Sequence, residues 1–433
     1  MTSPTPAAGP APARPAPARP PSRRLVLVLS VTCAVAVGNL YFPQAIGPLI
    51  ATGLDVPPDA ASLVVTATQI GYTAGMVLLV PLGDRFPNRP LLVVLLALTG
   101  LALLGAGCAP ALAPLVAASG LVGLTTVAAQ VIGPMAAGMA APERQGAVIG
   151  TLLSGSTAGM LLARTFSGVL GEWLGWRAPY LVASATALLL AAVMAYAAPR
   201  TTPSESAVRR PYGEFLAQPL RLLLAEPELR RSCFYQSAVF AGFSAAWTSV
   251  ALLLTGPVYG HGAQAVGLLA LVGGATLACT PYVGRLVDRY GPRPVNLVCL
   301  LGVVVSAGVL AAGALGGAAG LAALTAGMLL LDVAMQGGMV ANKARVYAVR
   351  PDARSRLTTA YMTCSYLGGT AGSWLGVRAY AAFGWPAVCA LIALLAAAAL
   401  VRHRFGANRG TAGMDDGRQV ERMAVTHHPP APR

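Results

Sequence analysis

Charge is scarce in this 433-residue chain: Asp, Glu, Lys and Arg make up 10% of it, against 56% apolar residues. There are 15 acidic residues, and lysine occurs once, at Lys343. A glycine-rich phosphate-binding loop ending in lysine is therefore missing, as are paired carboxylates and any nucleophile–base motif. The sequence reads as that of a non-enzyme. Histidine is nearly absent: His261, His403, His427 and His428 fall in loops or the tail, which excludes a histidine metal site or proton relay inside the apolar segments. The seven cysteines (Cys33, Cys108, Cys233, Cys279, Cys299, Cys364, Cys389) are odd in number and show no CxxC spacing. They read as small core residues, and neither metal nor cofactor is expected.

What is abundant is uninterrupted apolar sequence. The mean hydropathy of +0.66 exceeds that of a soluble protein of this length. Runs of roughly twenty apolar residues, each able to cross a bilayer as a helix, recur along the chain. They fall near 25–50, 61–82, 90–109, 112–140, 145–170, 178–198, 232–255, 264–284, 294–315, 317–342, 357–381 and 385–402. The runs are continuous rather than alternating, which excludes a β-barrel. The expectation is an all-α membrane protein with twelve transmembrane helices, called spans 1–12 below.

The net charge of +15 does not point to nucleic acid, because its placement follows the spans. Arginines crowd before span 1 and in alternate loops thereafter, from Arg85 and Arg89 to Arg402 and Arg404, while the intervening loops hold mainly Asp55, Asp59, Glu172 and Arg177. By the positive-inside rule both termini and the central loop are cytoplasmic in a cell-membrane protein whose surroundings are the lipid bilayer. Residues 1–24, an Ala/Pro/Arg tract, read as a disordered tail and not a signal peptide. Residues 25–199 and 229–404 form two six-helix bundles joined by a polar loop at 200–228, and 405–433 are a second disordered tail.

The two halves repeat one another. "PLGDRFPNRP" from Pro81 and "VGRLVDRYGPRP" from Val283 place Asp84, Arg85 and Arg89 opposite Asp288, Arg289 and Arg293, with the aspartates 204 residues apart. Trp176 and Trp385, Pro142 and Pro351, and Gly159 and Gly368 are each separated by 209. A duplicated six-helix unit accounts for all four.

On these motifs the chain resembles a major facilitator superfamily transporter over about residues 25–402. Members carry G-x-x-x-D-R-x-G-R-R/K after span 2 and an echo after span 8. Here Gly284, Asp288, Arg289, Gly291 and Arg293 fit the second copy, while Val80 and Pro87 replace glycines of the first. The resemblance implies two pseudo-symmetric bundles that rock about a central cavity. It also implies that Asp84 faces the start of span 11 near Arg354 and Arg356, and by symmetry that Asp288 faces the start of span 5 near Arg144. These would be cytoplasmic latches of the outward-open state; the alternative is a charge cluster that only sets topology.

One acidic residue lies deep within a span: Asp332, in "MLLLDVAMQGG" of span 10. Charge at that depth costs a few kcal/mol and points to function. The resemblance puts span 10, with spans 1, 4 and 7, on the cavity. Asp332 is then either the proton-responsive group or a structural carboxylate, permanently paired with arginine or capping a kink beside Gly337 and Gly338. Arg164, inside span 5, is either an anion-binding group or the counter-ion of Asp332.

Span 5 keeps half of the glycine-rich antiporter motif of efflux members: Gly155 and Gly159 fit, whereas Met160, Ala163 and Arg164 do not. These glycines are expected to let span 5 lie close to span 8. Span 4 has Ser119 where proton-coupled members often carry arginine, so coupling does not run through that position. The remaining cavity candidates are Asn39, Tyr41 and Gln44 of span 1, Gln130 of span 4, Gln236, Phe240, Phe243 and Trp247 of span 7, and Gln336 of span 10. Amides among aromatics suit a moderately apolar ligand, although each also fits an interhelical hydrogen bond.

The expected function is proton-antiport export of small amphiphilic compounds by a chain that suffices as a monomer. Sugar or organic-acid uptake is the alternative, and a non-transporting receptor is a more remote one.

Overall fold

The computed structural model describes residues 22–139, 142–199, 212–349 and 354–404, and among them all regular structure is helical. Eight spans are single helices: Asn88–Gly107 (span 3), Pro142–Leu174 (5), Arg177–Ala197 (6), Pro227–Thr255 (7), Pro292–Ala311 (9), Gly317–Val349 (10), Arg354–Phe383 (11) and Trp385–Arg404 (12). Four are broken. Span 1 is Arg23–Tyr41 followed by Pro43–Leu54, because Pro43 lacks the N–H that would continue the ladder through Phe42. Span 2 is Pro58–Ala61 and Leu63–Leu78, span 4 is Leu112–Thr125 and Ala128–Met139, and span 8 parts at Gly273–Gly274 into Ala263–Val272 and Ala275–Tyr290.

Among the described residues, nine of the twelve spans are long and apolar enough to cross a membrane on composition alone. Spans 5, 8 and 11 are the others; span 8 is apolar but divided into two shorter helices. Span 5 packs on span 8, and span 11 on span 2, so these helices form the seam between the halves. At this seam small residues let backbones approach, as where Gly168 of span 5 meets the Ala263 carbonyl of span 8.

Within each half the same pairs recur, with span 1 against 5 and span 7 against 11. A Cβ on Gly159 would strike the Ala34 backbone of span 1, and one on Gly368 would strike the Ser237 backbone of span 7. The duplicated glycines thus serve one duplicated helix crossing. This corrects the expectation for span 5, since Gly155 and Gly159 both face span 1, at Ser30 and Ala34, and not span 8. Span 8 meets Gly168 and Thr165 instead. Gly168 follows Gly159 by nine residues, about two and a half turns, which puts it on the opposite face of the helix.

Two ends of the molecule can be distinguished: the tail end, where spans 1 and 12 carry the outermost described residues, and the far end. At the far end the halves are sealed. Thr165 Oγ1 donates to the Gly267 carbonyl at 2.6 Å, and the Ala263 N–H donates to Glu172 Oε2 at 2.7 Å. Towards the tail end, Ala275–Tyr290 turns away to span 10.

The central connection is not wholly irregular. Tyr212–Ala225 is a helix whose Leu222 and Leu223 cover Leu229, Leu357 and Tyr361 of spans 7 and 11. The expected tails lie outside the described residues except for 22–24, where Ser22 caps the first helix and Arg23 and Arg24 already belong to it.

Candidate functional site

Beneath the far-end seal, spans 1, 5, 7 and 10 bring one cation and one carboxylate into the middle of the protein. Arg164 is fully buried (0% exposed), as is Asp332 (2%), the sixteenth of 33 residues in its helix. Among the described residues the ion pairs are those of Glu228 with Arg231 and Arg345, and Arg164 and Asp332 are not paired directly. Trp247 of span 7 stands between them. The Arg164 guanidinium lies 4.1 Å from the indole ring centroid, and the indole Nε1–H donates to Asp332 Oδ1 at 3.0 Å.

The rest of the cage follows from local breaks in the helices. The kink at Phe42–Pro43 turns Tyr41 and Gln44 towards span 5. Arg164 Nε donates to Gln44 Oε1 at 2.9 Å, and its guanidinium lies 4.9 Å from the Tyr41 ring and 5.5 Å from that of Phe243. A desolvated cation–π contact is worth about 2 kcal/mol, and three aromatic faces offset part of the cost of burying the charge. On the other side, the break in span 8 leaves Gly273 against Asp332, where a Cβ would sit 2.6 Å from Oδ2. A side chain at this position would force the carboxylate to shift.

The cage is incompletely satisfied. Arg164 Nη2, Gln44 Nε2 and Asp332 Oδ2 are buried without hydrogen-bond partners. Each such group costs about 1–3 kcal/mol if left alone, more where it is charged. Three of them around one arginine and one carboxylate make a polar site open to a proton or a ligand group.

The other candidates divide. Phe240 stacks on Phe243 (centroids 5.5 Å apart) and meets Tyr366 edge-on at 5.2 Å, continuing the aromatic wall below Trp247. Gln130 donates to Tyr72 Oη at 3.0 Å, and the Tyr72 ring meets that of Tyr366 at 4.6 Å, so spans 2, 4 and 11 close the wall across the seam. Gln336 is buried one turn from Asp332. Asn39 donates to Thr126 at 3.4 Å, and Gln236 accepts from Tyr361 at 3.0 Å. Each of those two bonds ties helices of a single half, away from the Arg164 cage.

Sequence reasoning missed Tyr72 and Tyr366. Their signal was a tyrosine in the small-residue stretches "IGYTAG" and "CSYLGG".

At the tail end, Asp288, Arg289, Arg293 and Arg356 are exposed, and Arg85 and Arg89 are partly so. None of them enters an ion pair among the described residues. The side chains of Asp84, Arg144 and Arg354 lie outside the described residues.

The sequence profile of the Major Facilitator Superfamily matches residues 27–342 and 264–421. The uncharacterized transporter YgaY of Escherichia coli O157:H7 is 34% identical over 369 residues, spanning 85% of this chain and 92% of that protein. A chloramphenicol resistance protein of Streptomyces lividans is 29% identical over 294 residues, 66% of this chain and 71% of its own length. The partially occluded, inward-open xylose transporter XylE from E. coli superposes with a TM-score of 0.68 at 16% identity, covering 87% of this chain and 95% of the other. That likeness is one of fold. A profile spanning almost every helix, a relative alike over most of its length and twelve spans in two echoing halves agree: the chain belongs to the Major Facilitator Superfamily, a multi-pass membrane transporter and not an enzyme.

Proposed function

We propose that this transporter exports small, moderately apolar compounds in exchange for protons, with Asp332 as the proton-binding group and Arg164 as its electrostatic partner. The observation that carries the reading is the buried Arg164–Trp247–Asp332 chain, which joins the two halves through one indole ring. A guanidinium keeps its charge throughout, so Asp332 is the member that can change state. Ionised, it takes a charge-assisted bond from Trp247 and balances Arg164 across the ring. Protonated, it leaves Arg164 with Gln44 and the aromatic faces but no counter-charge, and the central tie between the halves weakens.

Substrate entering from the tail end lies along Phe240, Phe243 and Tyr366 and favours the ionised carboxylate, whose proton leaves on that side. After the halves rock, a proton from the far side takes Asp332 Oδ2 and displaces the substrate. The exposed Asp288–Arg289 turn belongs to a latch that engages when the tail end closes, with Asp84 as its repeat. The tail end is cytoplasmic, because the arginine-rich loops lie there, and the membrane is the cell membrane. One chain holds the whole pathway. Support for export comes from the partial glycine motif of span 5 and from the drug-resistance relative in Streptomyces.

The test uses proteoliposomes with an internal pH dye and an imposed proton gradient. Chloramphenicol and other amphiphilic drugs, sugars and organic acids are added in turn. Drug-driven proton flux that Asp332→Asn abolishes is the expected result. Flux with sugars or acids alone makes the protein an importer, and equal flux in wild type and Asp332→Asn removes the carboxylate from the mechanism.

A further inference from the structure

A second cavity lies far from the central cage. At the tail end, between the first turns of span 9 and the last turns of span 12, a groove of about 550 Å³ opens on the outer surface. Its walls are apolar, formed by Leu297, Leu301 and Ala397, and its rim carries Arg293 and Arg404 with His403 beside them. Leu301 and the adjacent Val298 and Val401 are large exposed hydrophobics, as expected of a surface that faces lipid chains.

The two ends of the groove have opposite chemistry. Arg293 and Arg404 are exposed and form no ion pair among the described residues. Asp288, the nearest acidic residue preceding Arg293 in sequence, is likewise exposed and does not pair with it. His403 is buried beside the ring of Tyr235, and its Nδ1 has no hydrogen-bond partner. Two guanidinium groups without an ion pair among the described residues therefore stand at headgroup level over an apolar slot that runs into the hydrocarbon layer. Guanidinium groups take phosphate oxygens in paired hydrogen bonds, and basic pockets between transmembrane helices bind anionic headgroups.

We propose that this groove is a binding site for one anionic phospholipid of the tail-side leaflet. Its phosphate bridges Arg293 and Arg404, and an acyl chain lies along Leu297, Leu301 and Ala397. None of its residues belongs to the central cage; Arg293 is shared with the motif after span 8, and lipid binding is therefore read without transport. Its occupant ties span 9 to span 12 on the outer face of the second half.

Native mass spectrometry of the full chain in detergent, titrated with phosphatidylglycerol or phosphatidylcholine, tests this. Phosphatidylglycerol is expected to bind selectively. The double variant Arg293→Ala/Arg404→Ala weakens it roughly thirtyfold, on the scale of two interfacial arginines, and leaves phosphatidylcholine unchanged. Ala397→Trp fills the slot without altering charge and also loses phosphatidylglycerol.

Equal affinity for the two lipids would overturn the proposal. So would an equal loss in Arg23→Ala/Arg24→Ala, which removes two exposed arginines elsewhere at the tail end and would reduce the effect to general charge attraction. A severalfold gain in phosphatidylglycerol binding on removing residues 405–433 would make the chain's own tail the occupant, and the proposal would fall.

Discussion

The two halves of this transporter place the same helices at the same crossing and fill it with different chemistry. In the first half, span 5 presents Arg164 to Gln44 of span 1. In the second, the position 209 residues on is Ser373 of span 11, fully buried and sharing a 2.9 Å hydrogen bond with Thr248 of span 7. The backbone contacts of the crossing are alike, with Gly159 on Ala34 and Gly368 on Ser237. Duplication supplied the scaffold, and function sits where the copies diverge: a charge in one half, hydroxyls in the other, and the opposing carboxylate on span 10.

The sharpest way to break that comparison is to make the halves alike. Arg164→Ser gives the first crossing the chemistry of the second and leaves Asp332 buried without its cation. Losing one partner of a buried charge system costs about 3 kcal/mol or more, so substrate-driven proton flux should fall roughly 100-fold. Ser373→Ala removes a single hydroxyl bond, worth about 1 kcal/mol of stability, and should leave flux within about twofold. Parallel assays in proteoliposomes decide. Equal losses would mean that both crossings are structural and that the asymmetry carries no function.

The converse test addresses what the halves share. Gly159→Ala and Gly368→Ala each force a methyl group into a neighbouring backbone, and overpacking at such a site costs about 2–3 kcal/mol. The two variants should lower the thermal unfolding midpoint in detergent by similar amounts. A large drop in one and none in the other would show that the crossings are not equivalent.

How much of this was legible in the sequence follows the same division. The repeat and the twelve spans could be read because charge alternation and glycine offsets survive in one dimension. Asp332 and Arg164 were legible because charge is rare in apolar runs. That Trp247 joins them was not, because it depends on how spans 5, 7 and 10 cross, and an aromatic in span 7 is equally well a packing residue. Tyr72 and Tyr366 stayed hidden for the same reason, since each belongs to a wall that exists only when spans 2 and 11 meet. The glycines of span 5 were recognised as packing residues but assigned to the wrong neighbour. The sequence marks a small-residue face without saying which helix lies against it.

Trp247→Phe sharpens the comparison at the one residue that touches both charges. Phenylalanine keeps a ring face for Arg164 and removes the N–H bonded to Asp332. A hydrogen bond to a charged group is worth about 1.5–3 kcal/mol, so proton-coupled flux should fall at least tenfold while the protein remains folded. If flux is unchanged, the indole serves only as a platform for the guanidinium, and the coupling of proton to substrate runs by another route.

The smallest effect concerns the seal. Thr165 and Gly267 join the halves at the far end through one hydrogen bond, and Thr165→Val removes it at nearly constant volume. A loss of about 1 kcal/mol from this state alone shifts the equilibrium towards the far-open form by roughly fivefold. Thr165→Ser keeps the hydroxyl and should leave it in place. Electron–electron distance measurements between spin labels at Leu174 and Val258, both exposed at the far end, would read the shift in a background cleared of the seven free cysteines. A longer distance that grows in Thr165→Val and not in Thr165→Ser ties the bond to the closed state. Identical distributions in all three proteins would place the seal in the small-residue packing of Gly168 against Ala263, which the substitution leaves untouched.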